Sequence, residues 1–89
     1  MTALRRPLLE FPCLFPLKVI GRNIEEFEVQ TMRIIAKHVP ESDKGHCSRR
    51  LSKSDKYLAL TISFIAHSQE QLDALYQELH DHELVLVTL

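Results

Sequence analysis

Glycine and cysteine each occur only twice in the 89 residues, and tryptophan is absent. Two glycines exclude a glycine-rich phosphate loop and a dinucleotide fingerprint, which need several at fixed spacing. Two cysteines, Cys13 and Cys47, exclude a disulfide framework. No apolar run approaches the about 20 residues of a membrane span. Pro7, Glu10, Pro12 and Pro16 break up the early apolar residues, which excludes a secretory core. The expectation is a reduced cytoplasmic protein with both thiols free. No lysine or arginine follows Lys56. The chain up to Lys56 holds eleven bases against seven acids, net +4, and the remainder holds five acids and no base, net −5. Such halves complement each other when packed together, and the total of −1 points to no polyanionic partner.

What is present suits one small domain. A 45% hydrophobic fraction and 26% charge are ordinary for a globular chain, and 89 residues leave no room for a second core. Residues 1–14 read as an N-terminal arm and 15–89 as the domain. Phe15–Gly21 alternates in strand fashion, with Pro16 expected at the strand start, where no ladder bond is lost. Gly21-Arg22-Asn23 reads as a turn, with Asn23 as N-cap and Glu26 at the capping-box position. Glu25, Glu26 and Glu28 suit the positive end of a helix, Lys37 and His38 suit its end, and Pro40 stops it. Ile24, Phe27, Ile34 and Ile35 mark its buried stripe, with Thr31 among them.

Glu41–His46 follows as a polar loop, Cys47–Ser52 as a charged edge strand, and Lys53–Lys56 as a turn. Tyr57–Ala66 is the clearest strand: Leu58, Leu60, Ile62 and Phe64 alternate with Tyr57, Ala59, Thr61 and Ser63. Ser68 and Gln71 cap a second helix, on which Leu72, Leu75, Tyr76 and Leu79 share one face. Glu83–Leu89 closes the chain as a strand. The order β-α-β-β-α-β predicts an α+β ferredoxin-like sandwich, a four-stranded antiparallel sheet with two helices on one face. The other face would carry Lys18, Ile20, Tyr57, Ala59, Thr61, Ser63, Val85 and Val87 with nothing to cover it.

No residue set reads as a reaction centre. Catalytic carboxylate pairs, a Ser-His-Asp set and a Walker loop are missing. Neither His46-Cys47 nor His80 with His82 follows zinc-ligand spacing, so no metal or cofactor is expected. Cys47 has His46, Arg49 and Arg50 nearby, but adjacent strand residues point to opposite faces, which separates a Cys47 nucleophile from its base. Lys44, Arg49, Arg50, Lys53 and Lys56 form a basic group that suggests nucleic acid. Base stacking on this fold needs aromatics on the central strands, where Thr61 and Ser63 stand instead. The turn beside the first helix could meet a small carboxylate through Arg22, against the three glutamates that follow it.

Phe11-Pro12-Cys13, then Phe15-Pro16-Leu17-Lys18-Val19-Ile20-Gly21, resembles the opening of the YbeD-like family of small bacterial proteins. Leu58-Ala59-Leu60-Thr61-Ile62 and Leu75-Tyr76-Gln77-Glu78-Leu79 resemble its third strand and second helix. The resemblance implies a ferredoxin-like fold similar to ACT regulatory domains, which bind amino acids near the turn after their first strand. It also implies a link to lipoate metabolism through a label of lipoate regulatory protein. The Pro-Gly pair typical of ACT domains at that turn is missing here. Together these readings predict a non-catalytic regulatory or interaction module. Lys18, Gly21, Arg22 and Asn23 at the turn, with Tyr57 and Thr61 on the open face, are the expected contact residues. The expected partner is a protein, a second copy, or a small metabolite. A nucleic-acid binder using the basic edge is the alternative, and no membrane partner is expected.

Overall fold

The computed structural model describes residues 9–89. Most of the expected N-terminal arm lies outside them. Strands β1 (Cys13–Arg22), β2 (Lys44–Leu51), β3 (Tyr57–Ala66) and β4 (Val85–Thr88) form one sheet in the order β2-β3-β1-β4. All three neighbouring pairs are antiparallel. Helix α1 (Glu25–His38) links β1 to β2, and α2 (Gln69–Asp81) links β3 to β4. This is the predicted ferredoxin-like arrangement.

Alternation in β1 and β3 builds the core. Their antiparallel register sets Leu17 against Ile62 and Val19 against Leu60. These four side chains are almost fully buried, as are Phe64 and Ala66 on the same face. Phe27, Ile34 and Ile35 of α1 close over them, with Leu72, Leu75 and Leu79 of α2. The helical residues recur every three or four positions and the strand residues every second, so each element has one apolar face to bury. Both helices therefore cover the same face. Phe11 and Phe15 pack against this core from the start of the chain, with the Phe15 ring 5.9 Å from Phe64 and 6.3 Å from Tyr76.

Several local expectations are corrected. Strand β1 begins at Cys13 rather than Phe15 and runs on to Arg22, which places Pro16 inside it and removes Gly21 from the turn. Pro16 costs no hydrogen bond for a reason of register. Lys18 exchanges backbone bonds with Leu89, so the even positions of β1 direct their backbone groups toward β4. Pro16 lies two residues earlier, beyond the last β4 partner, where its missing N–H faces an unpaired edge.

Asn23 is not a helix cap. Ile24 holds that position with no side-chain cap bond, and it is 45% exposed instead of joining the buried stripe. Val39, beyond the helix end, is buried in its place. Asn23 instead donates from Nδ2 to the Asp55 carbonyl (3.0 Å), and its N–H donates to the Lys56 carbonyl (2.9 Å). It ties the end of β1 to the β2–β3 hairpin. Asp55 adopts a φ of 60° in that hairpin, a left-handed conformation that aspartate tolerates better than most residues. Strand β2 starts at Lys44, earlier than expected, after a short 3₁₀ turn at Glu41–Asp43.

Ser68 does cap α2. Its hydroxyl accepts from the Gln71 N–H at 3.0 Å. The Gln71 side chain returns to the His67 N–H (2.7 Å) and donates to the His38 carbonyl (2.8 Å). One capping residue thereby joins the two helices. Glu78 joins them again, pairing with Lys37 and with His38 Nε2 at 2.8 Å.

The hydrogen bonds from Lys37 and His38 hold the Glu78 carboxyl below its ordinary value of 4.5. A lowered folded value means the pairing contributes fully above about 4.5 and is lost as pH falls through the lowered value. Glu78→Gln is expected to flatten the fall of the urea midpoint below that pH, with the two proteins converging in strong acid. A second stability prediction concerns Thr31. Its hydroxyl is buried in α1 without a partner among the described residues. Thr31→Val keeps the shape and removes the unpaired group, so urea unfolding should show a gain of about 1 kcal/mol.

Candidate functional site

Among the described residues, nothing covers the face of the sheet opposite the helices. Its side chains are the even residues of β1, the odd residues of β3 and the matching positions of β2 and β4. The register sets them in rows across the sheet. Arg50, Ala59, Ile20 and Val87 form one row, and Ser48, Thr61, Lys18 and Leu89 the next. Tyr57 stands opposite Arg22 in the row beyond Arg50.

Of the six expected contact residues, this face brings together Lys18, Arg22, Tyr57 and Thr61. Gly21 and Asn23 are not among them. Gly21 points to the helix side and is buried. A β-carbon there would lie 2.4 Å from Cδ1 of Phe27 and 2.7 Å from the Leu84 carbonyl oxygen. The residue is required for close packing, not for a turn, and its φ is not positive. Asn23 is occupied by the hairpin.

Val85 is also corrected. The β1–β4 register shifts between Ile20 and Gly21, so Val85 pairs with Gly21 and packs on the helix-side core. Val87, opposite Ile20, does reach the open face, 44% exposed.

Arg50 joins the face although the sequence grouped it with a basic edge. Its neighbour Arg49 pairs with Leu60, on the helix side, and its guanidinium bonds Glu28 of α1 at 3.2 Å. Lys44 is likewise paired, with Glu41 at 3.3 Å. The five-residue basic group is thus divided between two faces and a turn, with two members neutralised. The alternation of strand residues separates Arg49 from Arg50, but only the β2–β3 register says which faces outward.

Lys18, Arg22 and Arg50 surround Ala59 and Ile20. Lys18 and Arg22 are four residues apart on β1, about 13 Å, and Arg50 lies one strand beyond Ala59, about 10 Å from Ile20. A shallow depression of about 300 Å³ lies here, floored by Ile20, Ala59 and Tyr57, with Lys18, Arg50 and Ser52 at its border. No strand residue on this face is acidic. Four acids, Glu70, Asp73, Glu78 and Asp81, lie along α2, which carries no lysine or arginine.

The remaining chemistry is sparse among the described residues. No group of three or more histidine, cysteine or acidic side chains is placed to hold a metal ion. Cys47 is exposed and Cys13 half-buried, both unpaired. Cys47 lies opposite Ile62, on the helix-side face of β2. His67 bonds Asp43 at 2.9 Å, a surface tie between the start of α2 and the 3₁₀ turn. No described helix is long and apolar enough to cross a membrane.

Known proteins share this fold and sequence. The solution structure of protein HP0495 from H. pylori superposes with a TM-score of 0.75, covering 96% of this chain and 89% of that one at 16% identity. The ACT domain from the GTP pyrophosphokinase of Chlorobium tepidum gives 0.71 at 14% identity, over 88% of this chain and 96% of that one. At such identities the likeness establishes the fold alone. Closer relatives are bacterial. A UPF0250 protein of Neisseria gonorrhoeae is 42% identical over 82 residues, 92% of this chain and 90% of its own. One from Nitrosomonas europaea is 39% identical, over 92% of this chain and 94% of its own. The family model described as "Protein of unknown function (DUF493)" matches residues 6–89, and the chain belongs to that family.

Proposed function

We propose that this protein is a non-catalytic regulatory or interaction module of the cytoplasm that works through the open face of its sheet. One observation carries the reading: among the described residues, the four-stranded sheet is covered by helices on one side only. On the bare side, Lys18, Arg22 and Arg50 surround a partly apolar centre of Ile20 and Ala59, with Tyr57 and Thr61 beside it. A face of this kind is stable in isolation and still gains by being covered. The division of the basic edge and the non-aromatic Thr61 and Ser63 count against nucleic acid. The resemblance to a family labelled as lipoate regulatory proteins makes lipoate metabolism the first process to examine.

Chromosomal replacement tests the reading. Lys18→Glu combined with Tyr57→Ala should reproduce the protein profile of a deletion strain while the variant accumulates as folded protein. Arg33→Glu, the same charge change on an exposed position of α1, should match wild type. The amount of protein-bound lipoate in the same strains reports on the metabolic link. Wild-type behaviour of the face variant would contradict the proposal.

A further inference from the structure

We propose that the open face takes an acidic amphipathic helix of another protein, laid along β1 and β3 with its apolar stripe on Ile20, Ala59 and Tyr57. The inference rests on the reading of this face as the working surface and adds the chemistry of the occupant. Lys18, Arg22 and Arg50 ring the apolar centre, and no acidic strand side chain faces them. Two copies stacked face to face would bring three cations from each into one interface with no strand acid to answer them. Like charges so placed oppose association and select an acidic partner instead.

Shape narrows the class further. The depression is shallow and open, so it cannot enclose a small molecule as ligand pockets do. The face is long: the ten residues of β1 span about 33 Å, the length of a helix of about 22 residues. The opposite side of the same strands already packs two helices through Leu17, Val19, Leu60 and Ile62. A third helix on the bare side would complete an α-β-α layering, with Asp or Glu flanking its stripe where the three cations stand.

Ile20 and Ala59 are half-buried, and a packed helix covers such side chains without the deep insertion that a lipid surface requires. Phosphate backbones would meet Ile20, Ala59 and Val87 at the centre of the site, a poor match for a polyanion.

A photo-crosslinking residue at Tyr57 in living cells tests this, with Ala74 on the exposed side of α2 as control. The expected product joins Tyr57 to a segment of a second protein whose apolar residues recur at helical spacing between acids. A synthetic peptide of that segment should bind the purified chain. Arg50→Glu should weaken it at least about tenfold, and a peptide with lysine in place of the facing acid should restore binding to that variant. Crosslinks from Tyr57 to a second copy, a lipid or a nucleic acid would overturn the inference while leaving the open face as the working surface. Crosslinks from Ala74 alone, or none, would overturn both. A peptide that binds the Arg50→Glu variant as tightly as wild type would also overturn the inference.

Discussion

Gly21→Val is expected to leave little folded protein, with a loss of about 3 kcal/mol or more in any fraction that folds. The cause is steric. The first atom added at Gly21 would meet the Phe27 ring at 2.4 and 2.5 Å and the Leu84 carbonyl oxygen at 2.7 Å. Phe27 is fully buried on the inner face of α1, and the Leu84 oxygen is backbone, so neither can retreat cheaply. The site is also where the β1–β4 register shifts, and displacing the Leu84 backbone would disturb the short β4. Gly45 supplies the control. A β-carbon there, in the exposed edge strand β2, would approach the Ser63 carbonyl oxygen at 3.2 Å and meet the Ser63 carbonyl carbon and Cβ at ordinary contact distances of 3.7 and 3.8 Å. Gly45→Ala should change stability by no more than about 1 kcal/mol in either direction. Urea unfolding followed by circular dichroism measures both, and equal costs would refute the steric reading of Gly21.

Phe64→Ala is expected to cost about 3–5 kcal/mol. Phe64 is fully buried on β3, opposite Phe15 and beneath the helices. Its removal opens a cavity bordered by a sheet and two helices, which cannot collapse together into it. A domain of 89 residues has a total stability of roughly 4–13 kcal/mol, so one such change consumes much of it. Phe15 tests the gradient. It lies on the same face but only half-buried, its ring edge-on to Tyr76. Phe15→Ala should cost distinctly less than Phe64→Ala, and a reversed order would contradict the placement of the core.

Much of this architecture is legible in the sequence because local and global preferences agree. Tyr57–Ala66 alternates without a break, and the register places every second residue in the core. Ser68, Gln71 and the leucines of α2 announce a capped amphipathic helix, and the structure contains it. The failures occur where a distant segment decides. Asn23 has the chemistry of a helix cap, but the β2–β3 hairpin lies within reach and offers it the Asp55 carbonyl. Pro16 suggests a strand start until the end of β4 shows that its missing N–H faces no partner. Val85 exchanges faces with its expected position because a register shift at Ile20 and Gly21 is invisible to a period of two.

The candidate site divides in the same way. Lys18, Tyr57 and Thr61 follow from alternation alone. Arg50 requires the pairing of β2 with β3, since nothing local distinguishes it from Arg49, whose charge is answered by Glu28. In the sequence Gly21 reads as part of a binding turn because glycine often marks one. Its importance proves to be the space it leaves for Phe27.

The central claim is that the bare face of the sheet is the working surface. Amide spectra of ¹⁵N-labelled protein, recorded in concentrated extract of the native cell against buffer, test it most directly. The account predicts selective broadening of Lys18, Ile20, Ala59 and Thr61, relieved by Lys18→Glu with Arg50→Glu, while Val29, Arg33 and Ala74 on the outer side of the helices stay sharp. Broadening confined to α1 and α2, with the face residues unchanged, would contradict it.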